Sequence, residues 1–103
     1  MATAEIEAGI CGFKTVVDAK MDGQGCVLTI RSDCKSIQRL ARRLTRVNPF
    51  DEISFSQSVP QTLQMGKLHC PHAACPVPVG IIKAIEIAAG LALPADVAIR
   101  LSR

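Results

Sequence analysis

Residues 14–47, KTVVDAKMDGQGCVLTIRSDCKSIQRLARRLTRV, carry both a hairpin signal and a helix signal. Apolar and polar residues alternate on either side of the turn Asp22-Gly23-Gln24-Gly25, a pattern typical of a β-hairpin. Ser32 and Asp33 then precede a helix predicted over residues 34–47, in which apolar residues recur every three or four positions. A hairpin that leads directly into an amphipathic helix predicts an α+β domain.

The residues before the turn predict a strand with an irregularity. Residues 4–21 alternate, but the parity of the apolar positions changes at Cys11-Gly12, so we expect a bulge or break there. After the turn, Cys26 shares one face of the second strand with Leu28 and Ile30. We therefore expect Cys26 to lie in the core.

The second half of the chain predicts two more helices and two more strands. Residues 52–57 alternate like a short strand, and residues 58–68 open with the capping box of a short helix. Residues 76–89 predict an apolar helix that Gly90 ends. Residues 97–101 alternate again and predict a final strand. The order ββα(β)ααβ indicates a small, mainly antiparallel sheet with helices packed on one face.

The composition sets limits on the class of protein. A chain of 103 residues is enough for one domain, 1–103, and its core must be aliphatic because Trp and Tyr are absent and Phe occurs only three times. The longest apolar stretch, Ile81 to Leu93, is interrupted by charges and too short to span a bilayer. The first residues lack the pattern of a secretory signal, so we expect a cytoplasmic protein. There, five cysteines predict free thiols, metal ligands or redox chemistry rather than disulfides.

Two of the cysteines lie close together in Cys70-Pro71-His72-Ala73-Ala74-Cys75-Pro76, just before the apolar helix. Two others occupy structural breaks, Cys11 at the parity change and Cys34 in the first turn of a helix, where an anion is favoured. Soft, charged thiolates bind zinc, Cu(I) and iron–sulfur clusters. We therefore hypothesise that Cys11, Cys34, Cys70 and Cys75 form a four-thiolate site for zinc or an iron–sulfur cluster, with His72 as an alternative ligand.

A second interpretation starts from the motif Cys75-Pro76-Val77-Pro78 at the start of the apolar helix. This segment resembles the Cys-Pro-x-Pro signature of the TusA-like (SirA-like) sulfur-carrier family, over the stretch from Cys75 to the last predicted strand. In that family the motif precedes a helix packed on a small α+β sheet and follows the first strand, whereas here it lies near the C-terminus. The resemblance implies that Cys75 carries a persulfide and that Pro76 and Pro78 stiffen its loop.

The whole chain also resembles a small uncharacterised prokaryotic domain family with a Cys-Gly-Phe segment, here residues 11–13, and a C-terminal Cys-Pro-Val-Pro helix. That resemblance implies no activity. A third interpretation therefore stays open, in which the protein is an interaction module whose cysteines are mostly core residues. Because no phosphate-binding glycine loop, carboxylate pair or Ser-His-Asp pattern occurs, an accessory protein is favoured over an enzyme.

Two surfaces of the predicted helices suggest partners. The first predicted helix carries five cations, which predict docking to an acidic protein: Lys35, Arg39, Arg42, Arg43 and Arg46. The absence of Tyr and Trp for base stacking, with a net charge of only +3, argues against nucleic acid.

The apolar circumference of helix 76–89 exceeds what one sheet face can cover, so we expect either a homodimer or cover from residues 58–68.

Overall fold

The predicted hairpin forms the centre of a four-stranded sheet in a computed structural model that describes residues 1–103. The strands are β1 (Ala2–Glu7), β2 (Lys14–Asp22), β3 (Gly25–Ser32) and β4 (Arg46–Val47). The helices are α1 (Lys35–Arg43), α2 (Pro49–Glu52), α3 (Gln61–His69) and α4 (Val77–Ala88). The α+β class is thus confirmed, although the observed order, βββαβααα, differs from the predicted one.

The sheet has the strand order β1-β2-β3-β4, and every neighbouring pair is antiparallel. Val17 stands opposite Ala4 of β1 and Ile30 of β3, so these three apolar side chains share one face. On the opposite face most side chains are polar, as at Thr3 and Arg31, with Val16 and Val27 as exceptions. This alternation explains why helices cover only one side of the sheet.

Two helices cover the apolar face and complete the core. α1 packs on β3, and α4 packs on β1 and β2. The helical contribution to the core consists of Ile37, Leu40 and Leu44 beside Val77, Ile81, Ala84 and Ile85. Cys26 is fully buried in the same cluster, which confirms its predicted core position.

α3 covers part of the apolar surface of α4 that the sheet leaves free. It packs against both α1 and α4, and a side chain at Gly66 would collide with the ring of Pro78. The cover expected from residues 58–68 is therefore present, and Ile81 is fully buried. None of the helices is both long and apolar enough to cross a membrane.

The single irregular strand predicted over residues 4–21 is wrong. The parity change marks a complete reversal between β1 and β2, through a loop over residues 8–13. Within it, the N–H of Gly12 donates to the carbonyl of Gly9 at 2.9 Å, and both glycines adopt positive φ. Glycine tolerates this backbone conformation, so two glycines in close succession allow a turn where one would fit a bulge.

The strand predicted over residues 52–57 is also wrong, and the first helix is shorter than predicted. α1 ends at Arg43, because the chain returns to the sheet as β4. Asn48 then accepts a hydrogen bond from the N–H of Phe50, and Pro49 occupies the first position of α2. This cap and proline favour a helical turn over a strand.

The final strand predicted over residues 97–101 does not form. α4 ends at Ala88, close to the predicted end, and is followed by Gly90, which has a φ of 73°. Every residue from there to Arg103 is exposed and lies outside helices and strands. The alternation of apolar residues is real, but no strand of the same chain pairs with it.

Candidate functional site

Four of the five cysteines line one cleft, although they come from three separate parts of the chain. Cys11, Cys34, Cys70 and Cys75 all border a cleft with a volume of about 820 Å³, which we call the cysteine cleft. His72 lies on its wall as well. The predicted site residues are therefore gathered at one place, while Cys26 lies apart in the core.

Cys34 is held at the junction of β3 and α1, where it is the N-cap residue. Its backbone N–H donates to the hydroxyl of Ser32 at 3.1 Å, and the same hydroxyl accepts a hydrogen bond from Thr15 at 2.8 Å. These bonds tie the start of α1 to two strands of the sheet. The half-buried Cys34 side chain is consequently positioned by hydrogen bonds that involve the two central strands.

Cys70 and Cys75 flank the short connection between α3 and α4. The N–H of Cys70 donates to the carbonyl of Gly66 at 2.8 Å and so ends α3. The N–H of Cys75 donates to the carbonyl of His72 at 3.2 Å, which closes a tight turn just before α4. Both thiols are half-buried and pack against the core, as does Cys34.

Cys11 reaches the cleft from the loop over residues 8–13 and is exposed. Its neighbours Ile10 and Phe13 also line the cleft, and the side chain of Ile10 is fully exposed. Neither apolar residue is recognisable as part of the site from the sequence. Their only signal was their proximity to Cys11, because a loop gives no periodic pattern.

The N-terminal ends of α1 and α4 both border the cleft. Lys35, Ser36 and Ile37 of α1 line it, as does Val77 of α4. Neither helix has a side-chain hydrogen bond at its N-cap, so first-turn N–H groups lack that acceptor. Two helix N-termini together create a positive potential that favours negative charge in the cleft.

The cysteines influence one another electrostatically. Burial, followed by the neighbouring thiol of Cys75 and then that of Cys34, raises the pKa of Cys70 to about 11. Burial also raises the pKa of Cys26, for a reason unrelated to the cleft. The metal-free cleft therefore keeps Cys70 protonated near neutral pH.

The thiols share a cleft without forming a finished set of metal ligands. No group of three or more His, Cys, Asp or Glu side chains is arranged to hold a metal ion. All five cysteines are free. Outside the cleft, the Nε2 atom of His69 is buried without a hydrogen-bond partner. The geometry thus provides clustered soft donors whose ligation requires side-chain or loop movement.

Comparison with known families assigns the chain to one family. Residues 2–101 match DUF6951, a family of unknown function. The chain belongs to this family. No curated protein and no solved structure matches it. The match spans the cysteine cleft entirely, so the cleft belongs to the DUF6951 domain itself.

The DUF6951 chain also carries the predicted basic residues, but not all on one helix. Lys35, Arg39, Arg42 and Arg43 are exposed on α1. Arg46 lies in β4, where its guanidinium forms a 2.9 Å ion pair with Asp22 and a second hydrogen bond to the Asp22 carbonyl. The prediction that Arg46 shares the helix face is therefore wrong, and four cations remain on α1.

Proposed function

We propose that this protein is a cytoplasmic accessory protein that binds a soft metal ion or an iron–sulfur cluster in the cysteine cleft. The ligands would be Cys11, Cys34, Cys70 and Cys75, with His72 able to replace one of them. The observation that carries the proposal is the meeting of four cysteines from three chain segments at one cleft. Core packing accounts for Cys26 and contributes to the half-burial of Cys34, Cys70 and Cys75, but it gives no reason for the exposed Cys11 to lie beside them.

The chemistry of the donors supports a cationic ligand. Neighbouring thiols disfavour ionisation at Cys70, because each thiolate repels the next. A bound cation reverses this effect and stabilises the thiolates that ligate it. The donor set suits zinc and an iron–sulfur cluster alike, since thiolates bind both.

Loop closure would complete the ligand set. Cys34, Cys70 and Cys75 pack against the core, whereas Cys11 lies on an exposed loop with the fully exposed Ile10. Movement of this loop toward the other thiols would supply the fourth ligand. The same movement would bury the apolar Ile10 side chain, a favourable contribution of up to about 3 kcal/mol.

An acidic protein is the proposed partner. The exposed cations of α1 begin at Lys35, which also lines the cysteine cleft. An acidic surface docked on Lys35, Arg39, Arg42 and Arg43 would therefore lie next to the bound metal. This placement suits a protein that hands over or receives electrons, sulfur or metal.

Anaerobic purification tests the proposal directly. We expect visible absorbance that bleaches on reduction if the ligand is an iron–sulfur cluster, or stoichiometric zinc without colour if it is zinc. Ser substitutions of Cys11, Cys34, Cys70 and Cys75 should each lower the metal content, and Cys26→Ala should retain it as the matched control. Metal-free protein after anaerobic reconstitution with iron and sulfide, and separately with zinc, would overturn the proposal.

A sulfur carrier based on Cys75 is the second candidate. The observation that favours it is the position of Cys75, on the cleft wall immediately before α4, where first-turn N–H groups stabilise an anion. In this function the Cys75 thiolate attacks a sulfane sulfur of a persulfide donor. A new sulfur–sulfur bond forms at Cys75 while the donor's sulfur–sulfur bond breaks, and the donor leaves as its thiolate.

Timed alkylation with and without a chelator separates the two functions, read by mass at each cysteine. Fast labelling of Cys75 alone, unaffected by chelator, would support the carrier. Protection of Cys11, Cys34, Cys70 and Cys75 that the chelator relieves together would support the metal site. Inert behaviour of Cys75 in both conditions would contradict both functions and favour the interaction module.

A further inference from the structure

The segment that follows α4 has the pattern of a strand but no partner within the chain. Residues 95–102 contain neither Gly nor Pro, and Val97, Ile99 and Leu101 alternate with Ala98, Arg100 and Ser102. The three apolar side chains are 62%, 77% and 90% exposed. Beyond Leu91, whose N–H donates to Glu86, no residue of the segment takes part in a backbone hydrogen bond within the chain.

The sheet of the same chain offers an edge that such a segment would fit. β1 pairs only with β2, so its other edge is open over the six residues Ala2–Glu7. The opposite edge, β4, has only two residues and cannot pair with a segment of this length. Unpaired strand edges bind extended segments through backbone hydrogen bonds.

The two faces of the segment match the two faces of β1. Ala2, Ala4 and Ile6 lie on the core side of β1, and Glu5 and Glu7 lie on the exposed side. A segment paired with this edge, with its apolar residues on the core side, places Arg100 beside these carboxylates.

A half-covered part of α4 lies near the same edge. α4 approaches β1 so closely at Gly80 that a side chain there would collide with Ile6. Ile87 follows Gly80 by seven residues and so lies on the same helix face, where it is only partly buried. An added strand beside β1 would bring Val97, Ile99 or Leu101 toward Ile87 and extend the core.

We propose that residues 95–102 add as a strand to the open β1 edge of a second copy of this chain, and that the exchange is reciprocal. Each copy carries both the unpaired segment and the unpaired edge, so a twofold pair satisfies both at once and leaves neither open. Residues 95–102 are exposed and lie outside the sheet, so the segment does not pair with β1 of its own chain.

The oligomeric state of the full chain, measured across a range of concentrations with reductant and chelator present, tests the inference independently of the metal site. We expect a mass twice the 11.0 kDa of one chain. Val97→Asp should raise the dimer dissociation constant at least about tenfold, because it places a charge in the new core. Val59→Asp is the matched control, since Val59 is 52% exposed and lies outside the proposed contact.

Two further measurements locate the contact. Arg100→Glu should weaken the dimer, and Glu5→Lys with Glu7→Lys should restore it in that background. Amides of residues 96–102 should exchange slowly in the dimer and fast after dilution. A monomer at every concentration, a dimer indifferent to Val97→Asp, or amides protected in a monomer would each overturn the inference.

Discussion

The carboxylate of Glu52 accepts hydrogen bonds from the backbone N–H and from the hydroxyl of Thr62, at 2.8 and 2.6 Å, and both residues are buried. Its other oxygen accepts a 3.0 Å hydrogen bond from the N–H of Gln61. Pro60, the N-cap residue of α3, offers no side-chain acceptor. A residue of α2 thus caps α3, the helix that ends at Cys70.

Replacing Glu52 should destabilise the fold strongly. Glu52→Ala removes three charge-assisted hydrogen bonds and leaves buried donors unpaired, so we expect the free energy of unfolding to fall by about 3 kcal/mol or more. Thr62→Val, which removes only the hydroxyl, should lower it by about 1 kcal/mol. Urea denaturation measures both. Asp51→Ala, at the exposed neighbouring position, is the control, and an equal effect of all three substitutions would contradict this role.

The Glu52 contact shows why residues 52–57 could not be assigned from the sequence. The period-two pattern after Glu52 and the local capping box at Ser58 both describe neighbours along the chain. The actual acceptor for α3 lies nine and ten residues before the groups it binds. A hydrogen bond across that separation leaves no periodic signal, whereas the hairpin and α4, whose signals are local, were predicted correctly.

The cysteines show the same difference between positions with a local sequence signal and positions set by contacts between distant segments. Cys26 follows the alternation of its strand, so its burial was predictable. Cys11 and Cys34 stood out only as residues at structural breaks, and their place beside Cys70 and Cys75 depends on how the loop over residues 8–13 and α1 pack. The sequence singled out the four thiols that line the cleft, but not the exposure of Cys11 or the absence of three donors close enough to hold a metal ion.

Gly90 should stabilise the end of α4 through its backbone conformation. At a φ of 73° it donates its N–H to Ile87, and Leu91 donates to Glu86, which are the two bonds of a Schellman motif. Gly90→Ala should lower the free energy of unfolding by about 1 kcal/mol, because a side chain disfavours positive φ. Thermal or urea unfolding checks this value, with Ala89→Gly as a control for helix propensity. An unchanged stability in Gly90→Ala would contradict the motif.

Asp18 should titrate below its ordinary range. A hydrogen bond from the Thr3 hydroxyl at 2.7 Å and then one from Arg31 at 3.0 Å lower the pKa of this carboxyl. We expect Thr3→Val to raise the Asp18 pKa more than Arg31→Gln does, as followed by NMR titration. Thr29→Val is the matched control, because Thr29 stands opposite Asp18 in the sheet without a hydrogen bond to it.

The sign of the stability effect at Asp18 follows from the same bonds. The folded state keeps Asp18 ionised to a lower pH than the unfolded chain, whose reference pKa is 3.8. The stability that the ionised Asp18 contributes to the folded state is therefore fully present well above that pH. It is lost as the pH falls through the lowered folded pKa. Acid unfolding of Thr3→Val should consequently show a weaker pH dependence over this range, and an unchanged profile would count against the assignment.

Cys70 should titrate at about 11 in the metal-free, reduced protein, because burial and the neighbouring thiols of Cys75 and Cys34 raise its pKa. The pH dependence of its alkylation rate, read by mass, measures this value. Cys75→Ala should lower the Cys70 pKa more than Cys34→Ala, since Cys75 contributes more after burial. Cys26→Ala is the control and should leave it unchanged. Titration of Cys70 near 9.0 would contradict the clustering of these thiols.

The raised pKa of Cys70 also predicts how stability responds to alkaline pH. The unfolded chain releases this proton near pH 9.0, whereas the folded metal-free protein retains it until about pH 11. Titration of Cys70 therefore takes nothing from the folding stability below pH 9.0, and it lowers that stability as the pH rises toward 11. Cys70→Ala should reduce this alkaline loss, and the part that remains should include the buried Cys26, whose pKa is raised in the same direction. Urea unfolding of both proteins across this pH range measures the alkaline loss of stability. An identical pH profile in Cys70→Ala would show that Cys70 does not titrate between pH 9.0 and about 11.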